Sequence, residues 1–189
     1  MSALGISGAT QYAIVTRDED QRLAKFEKQP TVQQAIKRFT DAAPAIKSAD
    51  ALLKNYRALQ FVLTAFQLED SIDQTAVLKQ VMTQDPSDPK SLVNRLADPR
   101  YKQLAAALQD WSSDPLSDQS TLNAIVRGYE QNAFEKDQGN RVGGMREALY
   151  FRRMIADAAS VPQIMANKAL LQVVRVGLGL PDSFAMQSY

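Results

Sequence analysis

Apolar positions between residues 48 and 70 form one continuous helical stripe. Its members step by four, three, four and three residues: Leu52, Tyr56, Leu59, Leu63 and Phe66. This is the spacing of a single face of an α-helix, and Leu53 and Val62 widen it enough to cover a core. Ser48 precedes the stripe and can accept a hydrogen bond from a backbone N–H of the first turn. The pattern predicts one central helix over residues 48–70.

Helix-start signals recur on both sides of this segment. A hydroxyl residue followed three positions later by Glu or Gln forms a capping box, as in Thr16 with Glu19, Thr31 with Gln34, and Ser71 with Gln74. An aspartate directly before a proline marks a helix start as well, because the missing proline N–H costs nothing in the first turn. This pair occurs at residues 88–89 and 98–99. Together these signals predict helices at residues 16–28, 31–43, 71–83, 90–96 and 100–109.

The last third of the chain continues the helical pattern. A helix is predicted from residue 117 or 118 to a stop or bend at Gly139, a second over residues 140–158, and a third over residues 160–177. We find no stretch with the convincing period-two alternation of a strand. The predicted fold is therefore all-α, an approximately eight-helix bundle around one core. A variant with two closely packed lobes joined at residues 85–111 stays open.

The two ends of the chain are expected to lie outside the helical domain. Residues 1–15 contain two glycines and no charge, which predicts a flexible arm or one that a partner orders, so that its deletion should leave the fold intact. Residues 182–189 are predicted to be a C-terminal tail, which leaves a single helical domain over residues 16–181. The start of the chain lacks the basic region and apolar core of a cleavable signal peptide. No run approaches the roughly 18 apolar residues of a membrane helix.

Composition narrows the possible chemistry. The chain of 189 residues contains no cysteine and no histidine, and its formal net charge is +1. Disulfides, thiolate nucleophiles and ordinary zinc or iron–sulfur sites are thereby excluded, and the usual proton shuttle at neutral pH is missing. The near-zero charge indicates no general attraction to nucleic acid. We expect a protein that is not an enzyme, binds no nucleic acid and needs no cofactor.

Three polar stretches were considered as sites. The stretch from Gly139 to Arg146 has glycines and arginines at a helix start, as anion sites do, but lacks the Gly-Lys-Ser/Thr ending of a phosphate-binding loop. It is interpreted as a turn between helices. The basic residues Arg141, Arg146, Arg152 and Arg153 are interpreted as a solvated helix face, with Tyr150 at the rim of the core.

The acidic residues Glu69, Asp70 and Asp73 lack the spacing of a calcium loop and are more simply explained by helix capping. No catalytic, cofactor-binding or metal-binding residue is predicted.

The helix predicted over residues 160–177 is apolar on nearly all sides. Its apolar members are Ile164, Met165, Leu170, Leu171, Val173, Val174 and Val176. Such a helix is either buried at the centre of the fold or presents part of its surface to another chain. Both interpretations stay open, and the N-terminal arm could take part in the same contact.

Three segments of the chain resemble a known family. They are NYRALQFVLTAFQLED at residues 55–70, LVNRLADPRYKQLAAAL at residues 92–108, and EALYFRR at residues 147–153. All three are similar to an uncharacterised helical domain family, found mainly in alphaproteobacteria and often encoded within flagellar gene clusters. The resemblance covers roughly residues 31–178. The matching residues are mostly apolar or capping residues, so the resemblance brings no functional site with it.

The resemblance implies a non-enzymatic, flagellum-associated protein that acts through protein–protein contacts. Its expected partners are flagellar proteins, and its expected location is the cytoplasm or the flagellum. A structural component, an assembly factor and an export chaperone are equally compatible with this expectation. The alternative is a helical module that binds a small molecule between the central helix and the helix of residues 140–158. A third hypothesis, an enzyme that uses carboxylate or lysine chemistry, requires a buried ionisable cluster.

Overall fold

The computed structural model describes residues 7–158 and 160–181, and in this part of the chain the protein is all-α. The described residues form twelve α-helices, four short 3-10 turns and no strand, which confirms the predicted fold class. The helices are α1 (Gly8–Arg17), α2 (Glu19–Glu27), α3 (Pro30–Ala42), α4 (Ala49–Lys54), α5 (Tyr56–Ala65), α6 (Thr75–Thr83), α7 (Leu92–Arg95), α8 (Pro99–Leu108), α9 (Gln119–Arg141), α10 (Met145–Met154), α11 (Val161–Ala166) and α12 (Lys168–Gly177).

The chain divides into two compact units. The central unit comprises residues 25–133, and the described part of the terminal unit comprises residues 7–24, 134–158 and 160–181. The helices α2 and α9 each contribute residues to both units. The predicted joint at residues 85–111 is therefore wrong, because that segment lies wholly inside the central unit.

The central unit contains the large apolar core. Helices α3 to α6 and α8 supply most of its buried side chains, and α5 alone buries seven of its ten residues. Three aromatic rings stack within it, with centroid distances of 4.3 Å from Phe39 to Phe61 and 3.9 Å from Phe61 to Tyr129. Trp111 is anchored there by an indole N–H that donates to the carbonyl of Met82. Burial of aromatic side chains on this scale dominates the stability of a small unit.

The predicted single helix over residues 48–70 is two helices. Ser48 caps α4 as predicted, since its hydroxyl accepts from the N–H of Ala51 at 3.1 Å. The helix then breaks at Asn55, whose side-chain oxygen accepts from the N–H of Ala58 at 3.2 Å and starts α5. The break rotates the stripe, so Tyr56, which was predicted to face the core, is 61 % exposed, whereas Leu59 is buried. A short polar side chain competes here with the continuing helix for backbone hydrogen bonds.

The aspartate start signals are confirmed. Asp98 accepts from the N–H of Arg100 at 3.0 Å at the start of α8, and Asp118 accepts from the N–H of Thr121 at 2.7 Å before α9. The start signal of the Asp-Pro pair at residues 88–89 is only partly confirmed. Asp88 accepts from the N–H of Lys90, but the helix that follows is the single turn of α7 rather than residues 90–96.

The three predicted capping boxes do not form. Thr16 lies inside α1 and donates its hydroxyl to the carbonyl of Tyr12, so the helix predicted over residues 16–28 is replaced by the end of α1 and by α2. The N-cap of α3 is Gln29, with Pro30 as its first residue, rather than Thr31. Ser71 is hydrogen-bonded to the hydroxyl of Tyr101 instead of capping α6.

The predicted arm is largely helical. Residues 1–6 lie outside the described residues, but Ser7 caps α1, and α1 packs against α10 in the terminal unit. Val15 is buried at 4 % exposure. Deletion of residues 1–15 would therefore remove part of a packed helix, which contradicts the expectation that the fold would be untouched. The predicted tail of residues 182–189 lies outside the described residues.

The C-terminal helices also differ from the prediction. The helix α9 continues through Gly139 to Arg141, and α10 begins at Met145 rather than near residue 140, because Gly144 adopts the left-handed conformation with φ of 79°. The predicted helix over residues 160–177 breaks at Asn167 into α11 and α12. Among the helices of the described residues, none combines the length and the apolar character that a membrane span requires.

Candidate functional site

The glycine- and arginine-containing stretch is a turn between two helices, as interpreted from the sequence. The first residues of the stretch complete α9, Gly144 supplies the left-handed conformation, and the N–H of Met145 donates to the carbonyl of Val142. The N-cap position of α10 is a glycine without a side-chain cap. The geometry of this turn is thus explained by backbone requirements alone.

Of the four arginines predicted to form a solvated face, Arg141, Arg152 and Arg153 are exposed, and each pairs with a carboxylate. Arg141 pairs with Asp137 at 2.9 Å, Arg152 pairs with Glu19, and Arg153 pairs with Glu135 at 2.8 Å. Arg146 is the second residue of α10. These ion pairs compensate the positive charge of three arginines locally.

The acidic residues of the central unit do not form a metal centre. Glu69 and Asp70 belong to the 3-10 turn Glu69–Ser71, and Asp73 follows it without capping α6. In residues 7–158 and 160–181, no three carboxylate, imidazole or thiol side chains come together as metal ligands. Their capping role, which the sequence favoured, is also not observed at α6, whose N-cap is Gln74.

A polar network in the terminal unit was not predicted. Asn167 is 1 % exposed, donates from Nδ2 to the hydroxyl oxygen of Tyr150 at 2.9 Å, and accepts at Oδ1 from the N–H groups of Ala169 and Leu170. One side chain therefore caps α12 and ties it to α10. A buried amide satisfied in this way stabilises one arrangement of the helices, because losing a partner would leave a polar group buried.

The network continues from Tyr150 to an ion pair. The guanidinium of Arg153 lies 5.2 Å from the centroid of the Tyr150 ring, within the range of a cation–π contact. The same guanidinium donates to both carboxylate oxygens of Glu135, which is 0 % exposed, at 2.8 and 3.1 Å. Two-point pairing of this kind is the geometry by which a buried carboxylate is best satisfied.

One member of this network, Asn167, could have been identified from the sequence. Asn167 is a short polar residue inside an otherwise apolar run, a position where Asn favours a cap over a helix interior. It follows Ser160 by the spacing that separates Asn55 from Ser48, which repeats one pattern of a serine, six helical residues and an asparagine. No such signal exists for Glu135 and Arg153, since their pairing depends on how α9 and α10 pack.

Exposed apolar side chains accumulate at the C-terminal helices. Val161 is 64 % exposed, Val176 66 % and Leu178 69 %. We call these three residues the C-terminal apolar surface. Within α12 only Leu170 is buried, and no residue of α11 is. The interpretation of residues 160–177 as a buried central helix is therefore wrong, and the second interpretation, a surface available to another chain, is the one the burial pattern favours.

Comparisons with known proteins show where this chain belongs. The profile of a family described as a protein of unknown function (DUF1217) matches residues 65–189. The chain belongs to this family. A crystal structure of an Agrobacterium tumefaciens protein has the same fold, with a TM-score of 0.80 and 27 % sequence identity over 98 % of this chain and 85 % of that one. No match was found among curated proteins.

These findings confirm the resemblance to an uncharacterised helical family and do not test its link to flagellar gene clusters. The DUF1217 family is one of unknown function, and the solved protein that shares this fold comes from an alphaproteobacterium. Neither finding brings an activity, a ligand or a partner. Any functional argument therefore depends on the surface and the side chains of this chain.

Proposed function

We propose that the protein is a non-enzymatic, flagellum-associated protein that acts through protein–protein contacts, and that the C-terminal apolar surface forms the contact. The single observation that carries the proposal is the exposure of Val161, Val176 and Leu178, each at more than 60 %. Exposed large apolar side chains that recur near one end of the chain favour a surface that another molecule covers.

Composition supports a binding role rather than catalysis. The chain has no histidine and no cysteine, so the commonest general base and the strongest nucleophile of enzymes are missing. The ion pairs of Arg141, Arg152 and Arg153 engage three basic groups of the terminal unit in internal contacts.

The flagellar part of the proposal is supported by the resemblance of residues 55–70, 92–108 and 147–153 to a family often encoded within flagellar gene clusters. Gene neighbourhood indicates a shared process and leaves open whether the protein is a structural component, an assembly factor or an export chaperone. The proposed partners are flagellar proteins with an apolar surface of their own.

The proposal is tested by affinity capture from the host cell with the tagged full-length chain. The test variant carries Val176→Ser and Leu178→Ser, and the matched control carries Tyr56→Ser, because Tyr56 is a 61 % exposed residue of the central unit. Substitutions this exposed should change stability by less than about 0.5 kcal/mol. Thermal melts verify that all three proteins are folded.

We expect flagellar rod, hook, filament or export proteins with the wild type and with Tyr56→Ser, and their loss with the double variant. The absence of flagellar proteins from every capture would contradict the assignment to the flagellar system. Identical capture by all three proteins would contradict the choice of surface.

A further inference from the structure

The C-terminal helix pair α11–α12 has few fully buried apolar side chains. Leu170 is its only buried apolar side chain, whereas α5 of the central unit buries seven residues. Leu171, Val173 and Val174 are partly buried, and Val176 is exposed. Segments with few fully buried side chains open locally at a lower free energy than the whole fold.

A polar contact compensates for this shallow packing. The amide of Asn167 bridges the start of α12 and the hydroxyl of Tyr150 on α10, and both ends of the bridge are buried at 1 % and 3 % exposure. Tyr150 is held in turn by Arg153 and, through it, by Glu135. The hydrogen bond between Asn167 and Tyr150 therefore stabilises one arrangement of α12 against α10. It is lost when α12 moves by the length of a hydrogen bond.

We infer that α11–α12 detaches from α10 as one element while the central unit stays folded, and that the bond between Asn167 and Tyr150 controls this opening. Detachment exposes Leu170, which is 3 % exposed in the closed arrangement, and so enlarges the C-terminal apolar surface. The opening thereby regulates the contact surface of the proposed function, and only this last step rests on that proposal.

Hydrogen exchange of the full-length protein, read by mass spectrometry, tests the opening without any partner. We expect residues 161–177 to exchange through a local opening, at least tenfold faster than residues 56–65. Exchange of both segments at one common rate, that of global unfolding, would overturn the inference.

Tyr150→Phe tests the controlling bond, because it removes only the hydroxyl that accepts from Asn167. The matched control is Tyr101→Phe in the central unit, which removes a hydroxyl bonded to Ser71 at 2.7 Å. We expect Tyr150→Phe to speed the exchange of residues 161–177 about tenfold, the effect of one side-chain hydrogen bond, and to leave residues 56–65 unchanged. Tyr101→Phe should leave residues 161–177 unchanged. A uniform acceleration by Tyr150→Phe, or none, would contradict the role of this bond.

Thiol labelling gives an independent measurement, since the chain has no cysteine of its own. Leu170→Cys places a thiol on the buried side of α12, and Leu59→Cys places one in α5, where the leucine is 2 % exposed. We expect the thiol at position 170 to be labelled at least tenfold faster, because it becomes accessible whenever the helix pair opens. Equal labelling rates would mean that both sites open only by global unfolding. Neither experiment depends on flagellar partners, so the opening and the proposed function can fail separately.

Discussion

Two helix pairs of this protein share one sequence pattern and have opposite packing. The pair α4–α5 and the pair α11–α12 each begin after a serine, run for six residues, break at an asparagine and continue for ten residues. The asparagine caps the second helix in both cases. Yet α5 buries seven residues in the core of the central unit and α12 buries one.

The difference lies in what surrounds each pair. The pair α4–α5 is packed within the central unit, which supplies most of the buried apolar side chains. The described part of the terminal unit supplies few: Val15, Phe134, Met145, Leu149, Tyr150 and Leu170. Where apolar burial is small, the terminal unit relies on Asn167, Tyr150, Arg153 and Glu135. The comparison shows that one local pattern can form a core helix or a helix held by polar contacts.

The largest expected effect comes from shortening a leucine of the second helix in each pair. Leu59 and Leu171 are equivalent positions, four residues after Asn55 and Asn167. Leu59→Ala should lower the free energy of unfolding of the central unit by about 3 kcal/mol, because it leaves a cavity in a packed core. Leu171→Ala should cost about 1 kcal/mol, since that side chain is only half-buried. Urea unfolding measures both. Fluorescence of Trp111, the single tryptophan, follows the central unit, and circular dichroism follows all helices. If both substitutions lowered the free energy of unfolding by the same amount, the contrast between the packing of α5 and α12 would be contradicted.

A close backbone approach in the central unit can be tested against an open glycine of the terminal unit. A Cβ at Gly128 would lie 2.7 Å from the carbonyl oxygen of Ala65, which already accepts a hydrogen bond from Asn132 at 2.8 Å. We expect Gly128→Ala to destabilise by about 2 kcal/mol, although alanine is ordinarily favoured over glycine in a helix. Gly177→Ala is the control, since a Cβ there meets no atom within 4 Å, and it should change stability by less than about 0.5 kcal/mol. Thermal unfolding measures both, and a stabilising Gly128→Ala would show that α5 and α9 can move apart.

Replacing Asn167 should cost more stability than replacing Asn55, because only Asn167 also donates a buried hydrogen bond to a tyrosine on another helix. Asn167→Ala removes a helix cap and the buried hydrogen bond to Tyr150, for an expected loss of about 2 kcal/mol in the terminal unit. Asn55→Ala removes a cap alone, for about 1 kcal/mol in the central unit. Unfolding followed by circular dichroism measures both losses. If Asn55→Ala were the more damaging substitution, the polar attachment of α12 would be unimportant.

The smallest expected effect concerns Glu130 on α9. Burial raises the pKa of Glu130 and the neighbouring Glu27 carboxylate raises it further, while Arg127 lowers it. Because the pKa of Glu130 is higher in the folded than in the unfolded state, the free energy of unfolding falls as pH rises from the unfolded pKa to the folded pKa. Above the folded pKa it stays at the lower value. Glu130→Gln should therefore raise stability at pH 7, by less than about 0.5 kcal/mol, and change it less at pH 4.

Glu135→Gln on the same helix is the matched control. It weakens the pairing of a buried carboxylate with Arg153 and should lower stability at pH 7. Thermal melts of both variants at the two pH values measure the difference. A loss of stability with Glu130→Gln at pH 7 would show that the charge at position 130 is favourable.

The sequence by itself determined the fold class and several helix starts. Ser48, Asp98 and Asp118 bond to N–H groups only two or three residues away, so their role depends on near neighbours in the chain. The apolar spacing around Leu59 and Leu63 identified the core helix for the same reason, since one helical face is a local property. The sequence also raised the C-terminal helices as a possible contact surface without deciding between that role and burial.

Only the tertiary structure decided where the helices break and which apolar faces are buried. Residues 48–70 and 160–177 read equally well as unbroken helices, because the residues beside Asn55 and Asn167 favour a helix. The pairing of Glu135 with Arg153, the contact of Gly128 with Ala65 and the bond between Asn167 and Tyr150 join residues far apart in the chain. Such contacts form only when helices pack, and they determine why one helix pair is buried and the other is exposed.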